Sequence, residues 1–198
     1  GHALADIIFG DVNPSGKLPI TFPKQLSDSP AHKNEKTFPG KEKVFYDEGV
    51  FVGYRHFDKE DIEPLFPFGF GLSYSDFEYS NLILDKHELY KSDELTVEVD
   101  IKNISEQAGA EVVQLFIAEQ NNQVERPPKE LKGFDKVFLS GSEQKTVRMN
   151  FKVRDLAYFD EEKDCWFAKA GKFEIQLGAS SRDIKHSCVF SLAEDVAF

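Results

Sequence analysis

The sequence predicts a mainly β fold: a seven-strand sandwich of immunoglobulin-like architecture, preceded by a small α/β remnant and an extended linker. Three observations carry that reading. From Phe77 onward, apolar and polar residues alternate with period two. Turn residues interrupt that alternation at intervals of roughly ten residues, the spacing of short sandwich strands. Large, stiff side chains dominate the apolar set, with 19 Phe against one Met and one Trp. Such side chains suit packed, pleated sheets better than helical bundles.

Along the chain, residues 1 to 9 read as the end of a helix, because Leu4, Ile7 and Ile8 recur at helical spacing and Gly10 follows as a stop. Asp11 to Gly16 is a turn cluster, and Lys17 to Phe22 is a short strand-like piece ending at Pro23. Helix, tight turn and strand make one step of an α/β layer, which cannot cover its own apolar faces. Residues 24 to 43 are polar and aperiodic, hence a long surface loop. Val44 to Arg55 is aromatic and β-branched, and is expected to be extended. Residues 56 to 75 are rich in Asp, Pro, Phe and Gly, a linker that packs its aromatics down.

The sandwich strands follow. Leu95, Val97, Val99 and Ile101 alternate with Thr96, Glu98, Asp100 and Lys102. Val113, Leu115 and Ile117 repeat the pattern, although Val112 and Phe116 put apolar groups on the second face too. Val147, Met149 and Phe151, then Phe173, Ile175 and Leu177, then Cys188, Phe190 and Leu192 supply further inward sets. Adding Phe77 to Leu84 and Leu131 to Leu139 gives seven strands. The domains divide as 1–75, remnant plus linker, and 76–198, sandwich.

Composition narrows the partners. A net charge of −11 disfavours nucleic acid and anionic membrane surfaces by repulsion, and is compatible with a neutral sugar. No run of about 18 apolar residues is present, so no helical membrane span is expected. The N-terminus has neither a basic region nor a long apolar one, so no signal peptide is read, and without an initiator Met the chain is expected to begin inside something larger. Cys165 and Cys188 are too few for a disulfide framework and are expected as free thiols, a single bridge being the alternative. Compartment stays open, with a periplasmic or secreted location favoured over a cytoplasmic one.

Candidate chemistry is sparse. Glycoside hydrolysis needs two carboxyl groups flanking the scissile bond, about 5–5.5 Å apart in retaining enzymes. Asp47-Glu48 is the tempting pair, but in an extended segment neighbouring side chains face opposite ways. Glu48 is expected instead to pair with Arg55. The five histidines show no metal spacing, and no cofactor is implied. Gly69 to Tyr74 begins like a phosphate-binding glycine loop but carries Tyr74 at the third glycine position, with no strand before it. Asn103-Ile104-Ser105 is a glycosylation sequon, relevant only in a secreted eukaryotic protein, and Asn13-Pro14-Ser15 is excluded by its proline. Trp166, Phe167, Tyr158 and Phe159 are candidates for a sugar platform, but Trp166 is expected to plug the core and Tyr158 to tie down a corner. Arg126 lies in Val124 to Glu130, a segment stiffened by Pro127 and Pro128 and expected at a domain interface. Glu48, Arg55, Arg126 and Trp166 are thus the candidates for an interface or a substrate rim.

These residues also assemble into a resemblance. Gly10-Asp11-Val12-Asn13-Pro14-Ser15-Gly16-Lys17-Leu18-Pro19-Ile20-Thr21-Phe22-Pro23 resembles the segment closing the second, α/β-sandwich domain of family 3 glycoside hydrolases. Tyr46 to Arg55 is similar to the block that follows it, and Pro67 to Tyr74 to the approach to the family's fibronectin type III-like domain. Arg126 to Phe134 and Gly178 to Ile184 resemble recurring blocks within that domain. Five motifs in order, over nearly the whole chain, make the resemblance specific. It implies a fibronectin type III-like sandwich and a parent that is a retaining, β-glucosidase-type enzyme. Its catalytic Asp and Glu would lie in a barrel and in an earlier part of the second domain, so no catalytic residue carries over.

The expected role is therefore the structural C-terminal portion of such an enzyme, with the N-terminal catalytic domains as partner and oligosaccharide or β-glucoside as the parent's substrate. A self-standing carbohydrate-binding or protein-interaction module is the alternative. Homo-oligomerisation through the remnant is a further expectation. If a domain covers the remnant, then Ile7, Ile8, Phe9, Phe45, Phe51 and Phe57 should be partly exposed in this chain.

Overall fold

The computed structural model describes residues 1–198 apart from Lys33, Lys41, Asn121, Asn122 and Gln123. Helix α1 spans His2–Phe9 and stops at Gly10, whose N–H returns to the Ile7 carbonyl at 3.1 Å. Lys17 to Phe22 runs alongside residues 65 to 70 without becoming a regular strand. The Leu18 N–H donates to the Phe70 carbonyl and the Gly69 N–H to the Leu18 carbonyl, both at 2.8 Å, and Phe22 bridges Phe66. Pro19, Pro23 and Pro67 remove ladder donors, which is why the pairing stays broken. The described residues between 24 and 43 form the expected loop, with single 3₁₀ turns at Leu26–Asp28 and Pro30–His32.

The extended reading of Val44 to Arg55 is corrected. Residues 47 to 50 form a turn, and helix α2, Tyr54–Lys59, begins immediately after Gly53. Gly53 sits at φ 55°, ψ −138°, a region that a residue with a Cβ avoids, and it redirects the chain into the helix. The aromatic, β-branched composition of the block belongs to a surface turn and not to a strand.

Among the described residues eleven strands follow: β1 Phe77–Leu84, β2 Glu88–Leu89, β3 Glu94–Asn103, β4 Gly109–Glu119, β5 Glu130–Leu139, β6 Gln144–Lys152, β7 Tyr158–Asp160, β8 Cys165–Ala168, β9 Gly171–Gly178, β10 Ile184–Leu192 and β11 Val196–Ala197. They form sheets ordered β1-β3-β6, β2-β10-β9-β4-β5 and β11-β8-β7. The seven longest coincide with the expected segments. The four additions have two to four residues each, too short for alternation to register.

The two larger sheets enclose one core. Leu95, Val97, Val99 and Ile101 on β3 are fully buried, as are Val113, Ile175 and Leu177 from the facing sheet. Phe190 stacks on Phe173, with centroids 5.4 Å apart, and meets Phe151 at 5.6 Å. Phe116 is buried on the opposite face of β4, where the alternation of the strand points it towards Tyr54. The apolar second face of β4 therefore marks where the linker covers the sheet. Cys165 and Cys188 are free thiols.

The remnant's apolar residues divide. Phe9 is 82% exposed, Ile8 and Phe45 are exposed, and Ile7 and Phe51 are half-buried. Phe57 departs from the expectation at 3% exposure, because α2 turns it inward as the helix docks on the sandwich.

Candidate functional site

The seam between residues 1–75 and the sandwich combines the aromatic contact of Tyr54 with Phe116 and the buried Phe57 with a run of hydrogen bonds and ion pairs. At one end, Asn13 Nδ2 donates to Ser75 Oγ at 2.8 Å and to the Ala108 carbonyl at 2.9 Å. Its Oδ1 accepts from Ser73 Oγ and the Tyr74 N–H. Lys17 reaches the buried Glu111 at 3.2 Å, and the same carboxylate oxygen accepts Tyr79 Oη–H at 2.9 Å. Burial pushes the Tyr79 phenol far above its ordinary value, with the Glu111 charge adding to the effect. In the middle, Gln114 Nε2 bridges the Gly69 and Ala179 carbonyls, and the Ser181 N–H donates to the Phe68 carbonyl.

At the other end α2 is held by charge. Asp58 accepts from Arg182 Nε at 2.9 Å and faces Lys129 Nζ at 3.1 Å. Arg182 also donates to the Phe57 and Ile62 carbonyls, at 3.0 and 3.2 Å. Tyr54 Oη accepts the Leu131 N–H at 2.8 Å. Arg55 pairs with Glu130 at 3.5 Å, not with Glu48, because the helical turn at Tyr54 aims it towards β5. Arg126 spends its guanidinium on Glu119 at 2.9 Å, Glu130 at 3.1 Å and the Leu156 carbonyl at 3.1 Å, and lies over the Tyr158 ring. It is a half-buried tie between β4, β5 and the 3₁₀ turn Val153–Leu156.

Glu130 thus collects Arg55, Arg126 and Lys132. Burial pushes its pKa up, but the neighbouring Lys132, Arg126 and Arg55 charges outweigh it and hold the carboxyl below its ordinary value. A depressed folded pKa stabilises fully above the unfolded value, about 4.3, and that contribution is lost as pH falls through the lower folded value. Thermal melts from pH 6 to 2 are expected to show a steeper acid loss for the native sequence than for Glu130→Gln; parallel curves would contradict this.

A cavity of about 400 Å³ lies between residues 30–60 and Glu125, lined among others by Asp47, Glu48, Phe51, His56 and Lys59. The expectation that Asp47 and Glu48 face opposite ways fails, since both occupy a turn and both line this cavity. Glu48 Oε2 is shielded from solvent without a hydrogen-bond partner. Lys59 pairs with Glu125 and sits 3.6 Å from the centre of the Phe51 ring. Sequence reasoning missed His56, Lys59 and Glu125 here, because residues 56 to 75 read as a linker and Val124 to Glu130 as a separate stiff loop, with no signal that α2 brings them together.

Trp166 does not plug the core. It is 47% exposed on β8 and meets Phe159 edge-to-face, with centroids 5.9 Å apart. Its neighbour Phe167 takes the inward position and meets Tyr158 edge-to-face. As the single Trp, its native emission is expected to be quenched efficiently by acrylamide. Strong protection from the quencher would contradict this placement.

On the other side of the seam the surface is apolar. Ile7, Leu18, Phe22, Phe66, Phe70 and Leu72 line an open groove of about 650 Å³ beside the exposed face of α1.

Comparison with known proteins gives these features a context. Residues 1–54 match the glycosyl hydrolase family 3 C-terminal domain, and residues 111–181 match the fibronectin type III-like domain. The chain is 50% identical over 185 residues to thermostable beta-glucosidase B of Acetivibrio thermocellus, covering 93% of this chain and 24% of that protein. It is 48% identical over 197 residues to a beta-glucosidase of Rhizobium radiobacter, covering 98% and 24%. The crystal structure of the Kluyveromyces marxianus beta-glucosidase superposes with a TM-score of 0.91 at 39% identity, over 100% of this chain and 23% of that one. Beta-glucosidase 3B from Thermotoga neapolitana, in complex with alpha-D-glucose, gives 0.91 at 40%, over 100% and 27%. The chain therefore spans about a quarter of the length of the curated relatives it matches. With both domain matches falling in order across the seam just described, this chain belongs to glycoside hydrolase family 3 and corresponds to the family's C-terminal region.

Proposed function

We propose that the chain is the C-terminal structural portion of a retaining β-glucosidase-type enzyme, in which it buttresses the catalytic domains. Residues 1–75 complete the α/β-sandwich domain of that enzyme, and residues 76–198 form the buttress behind it. The observation that carries this reading is the two-sidedness of the remnant. One side is fastened to the sandwich through Asn13, Lys17, Asp58 and Gln114, while the other presents α1 and the groove at Ile7, Leu18, Phe22 and Phe70 to solvent. An apolar face of that extent is the mark of a surface that another element covers. The two carboxylates of retaining hydrolysis, and the pocket that selects the sugar, come from the partner domains.

The test is association. This chain, mixed with the complementary N-terminal portion of the Acetivibrio thermocellus relative, is expected to form a one-to-one complex by native mass spectrometry and to bury α1 from hydrogen exchange. Absence of a complex, with α1 exchanging as in the isolated chain, would overturn the reading.

A second reading, a carbohydrate-binding module, is favoured by the exposed Phe159–Trp166 pair on the β7–β8 hairpin. Affinity electrophoresis in cellulose, xylan and β-glucan separates the two. Retardation lost in Trp166→Ala supports the module; unretarded migration in all three supports the buttress alone.

A further inference from the structure

We propose that Asn103, the acceptor of the only N-glycosylation sequon in the chain, is a structural clasp, so that glycan attachment and folding of the sandwich exclude each other. Asn103 ends β3 and is fully buried. Its Nδ2 donates to the Gln107 carbonyl at 2.8 Å and the Ser140 carbonyl at 3.2 Å, with the Leu139 carbonyl at 3.4 Å. Oδ1 accepts the Ser105 N–H at 2.9 Å. One side chain thereby ties the β3–β4 connection to the β5–β6 turn. Ser105 Oγ, which a glycosyltransferase must engage, accepts the Asp76 N–H at 2.9 Å.

Attachment would form a bond between Nδ2 and C1 of an oligosaccharide carried on a lipid pyrophosphate. The C1–O bond breaks, lipid pyrophosphate leaves, and the amide gives up one proton. The modified amide keeps one hydrogen for carbonyls that take two in the fold, and a pyranose ring has no room at 2.8–3.2 Å from those oxygens. Modification is thus confined to the unfolded chain, and it blocks the closure of both connections.

The experiment presents two samples, the folded chain and chain freshly diluted from urea, to solubilised oligosaccharyltransferase with lipid-linked oligosaccharide. Each is then digested with trypsin. The folded sample is expected to remain unmodified. In the unfolded sample, the glycosylated fraction is expected to regain trypsin resistance about tenfold less than the unmodified fraction of the same tube, which serves as its control. Ser105→Ala removes the sequon while keeping Asn103, and is expected to refold as the unmodified fraction does. Glycosylation of the folded sample, or equal trypsin resistance of the glycosylated and unmodified fractions, would overturn the proposal.

Discussion

Asp58→Ala is expected to destabilise the chain by about 3–5 kcal/mol, because it leaves two cations without the carboxylate that both face. The Asp58 side chain is only 6% exposed and that of Lys129 13%, so Lys129 loses its partner largely out of reach of water, while Arg182, at 29%, is left with the more distant Asp61. The damage should be directional. Arg182 also donates to the Phe57 and Ile62 carbonyls, so loosening it frees the end of α2 while the sandwich core keeps its packing. Urea unfolding followed by far-ultraviolet circular dichroism measures the global loss, and hydrogen exchange across residues 54 to 62 reports its place. A change below about 1 kcal/mol with unaltered exchange would mean that solvent screens this pair as it screens surface ones.

Phe190→Ala is expected to cost a similar amount, about 3–5 kcal/mol, by a different route. The ring is buried between Phe173 and Phe151 at the centre of the core, and its removal leaves a void bounded by stiff aromatic and β-branched neighbours. Here the loss should be global, with the urea midpoint falling and exchange rising in β3, β9 and β10 together. Trp166→Ala is the internal contrast: it truncates a larger side chain and should cost below about 1 kcal/mol, since half of that ring already meets water. Equal costs for the two substitutions would contradict the assignment of inside and outside faces.

The sandwich was legible in the sequence because its cause is local and periodic. Leu95, Val97, Val99 and Ile101 point one way for a simple geometric reason, and burial follows. The short strands β2, β7, β8 and β11 were invisible because two to four residues cannot display a period. Trp166 and Phe167 show the weakness directly. Within Cys165–Ala168 both are aromatic, and which one faces inward depends on the pairing of Phe159 with Trp166 in the β7–β8 hairpin, not on side-chain type. The block Val44 to Arg55 looks extended because β-branched and aromatic composition resembles a strand, while Gly53 decides the backbone. That misreading carried the site with it: Arg55 was assigned to Glu48, and Asp47 and Glu48 were set on opposite faces. The resemblance withstood these local errors, because it rests on residue identity and not on conformation: the two domain matches, at 1–54 and 111–181, reach four of the five blocks in order.

On the proposed reading, this chain supports hydrolysis by partner domains without supplying the carboxylates itself. The direct measurement is hydrolysis of p-nitrophenyl β-glucoside by the chain alone, by the complementary N-terminal portion of the Acetivibrio thermocellus relative alone, and by the two together. The expected result is turnover only in the mixture, reduced by Asp58→Ala in proportion to the loss of complex. Turnover by this chain alone, abolished by Glu48→Gln in the cavity it shares with Asp47, would contradict the account.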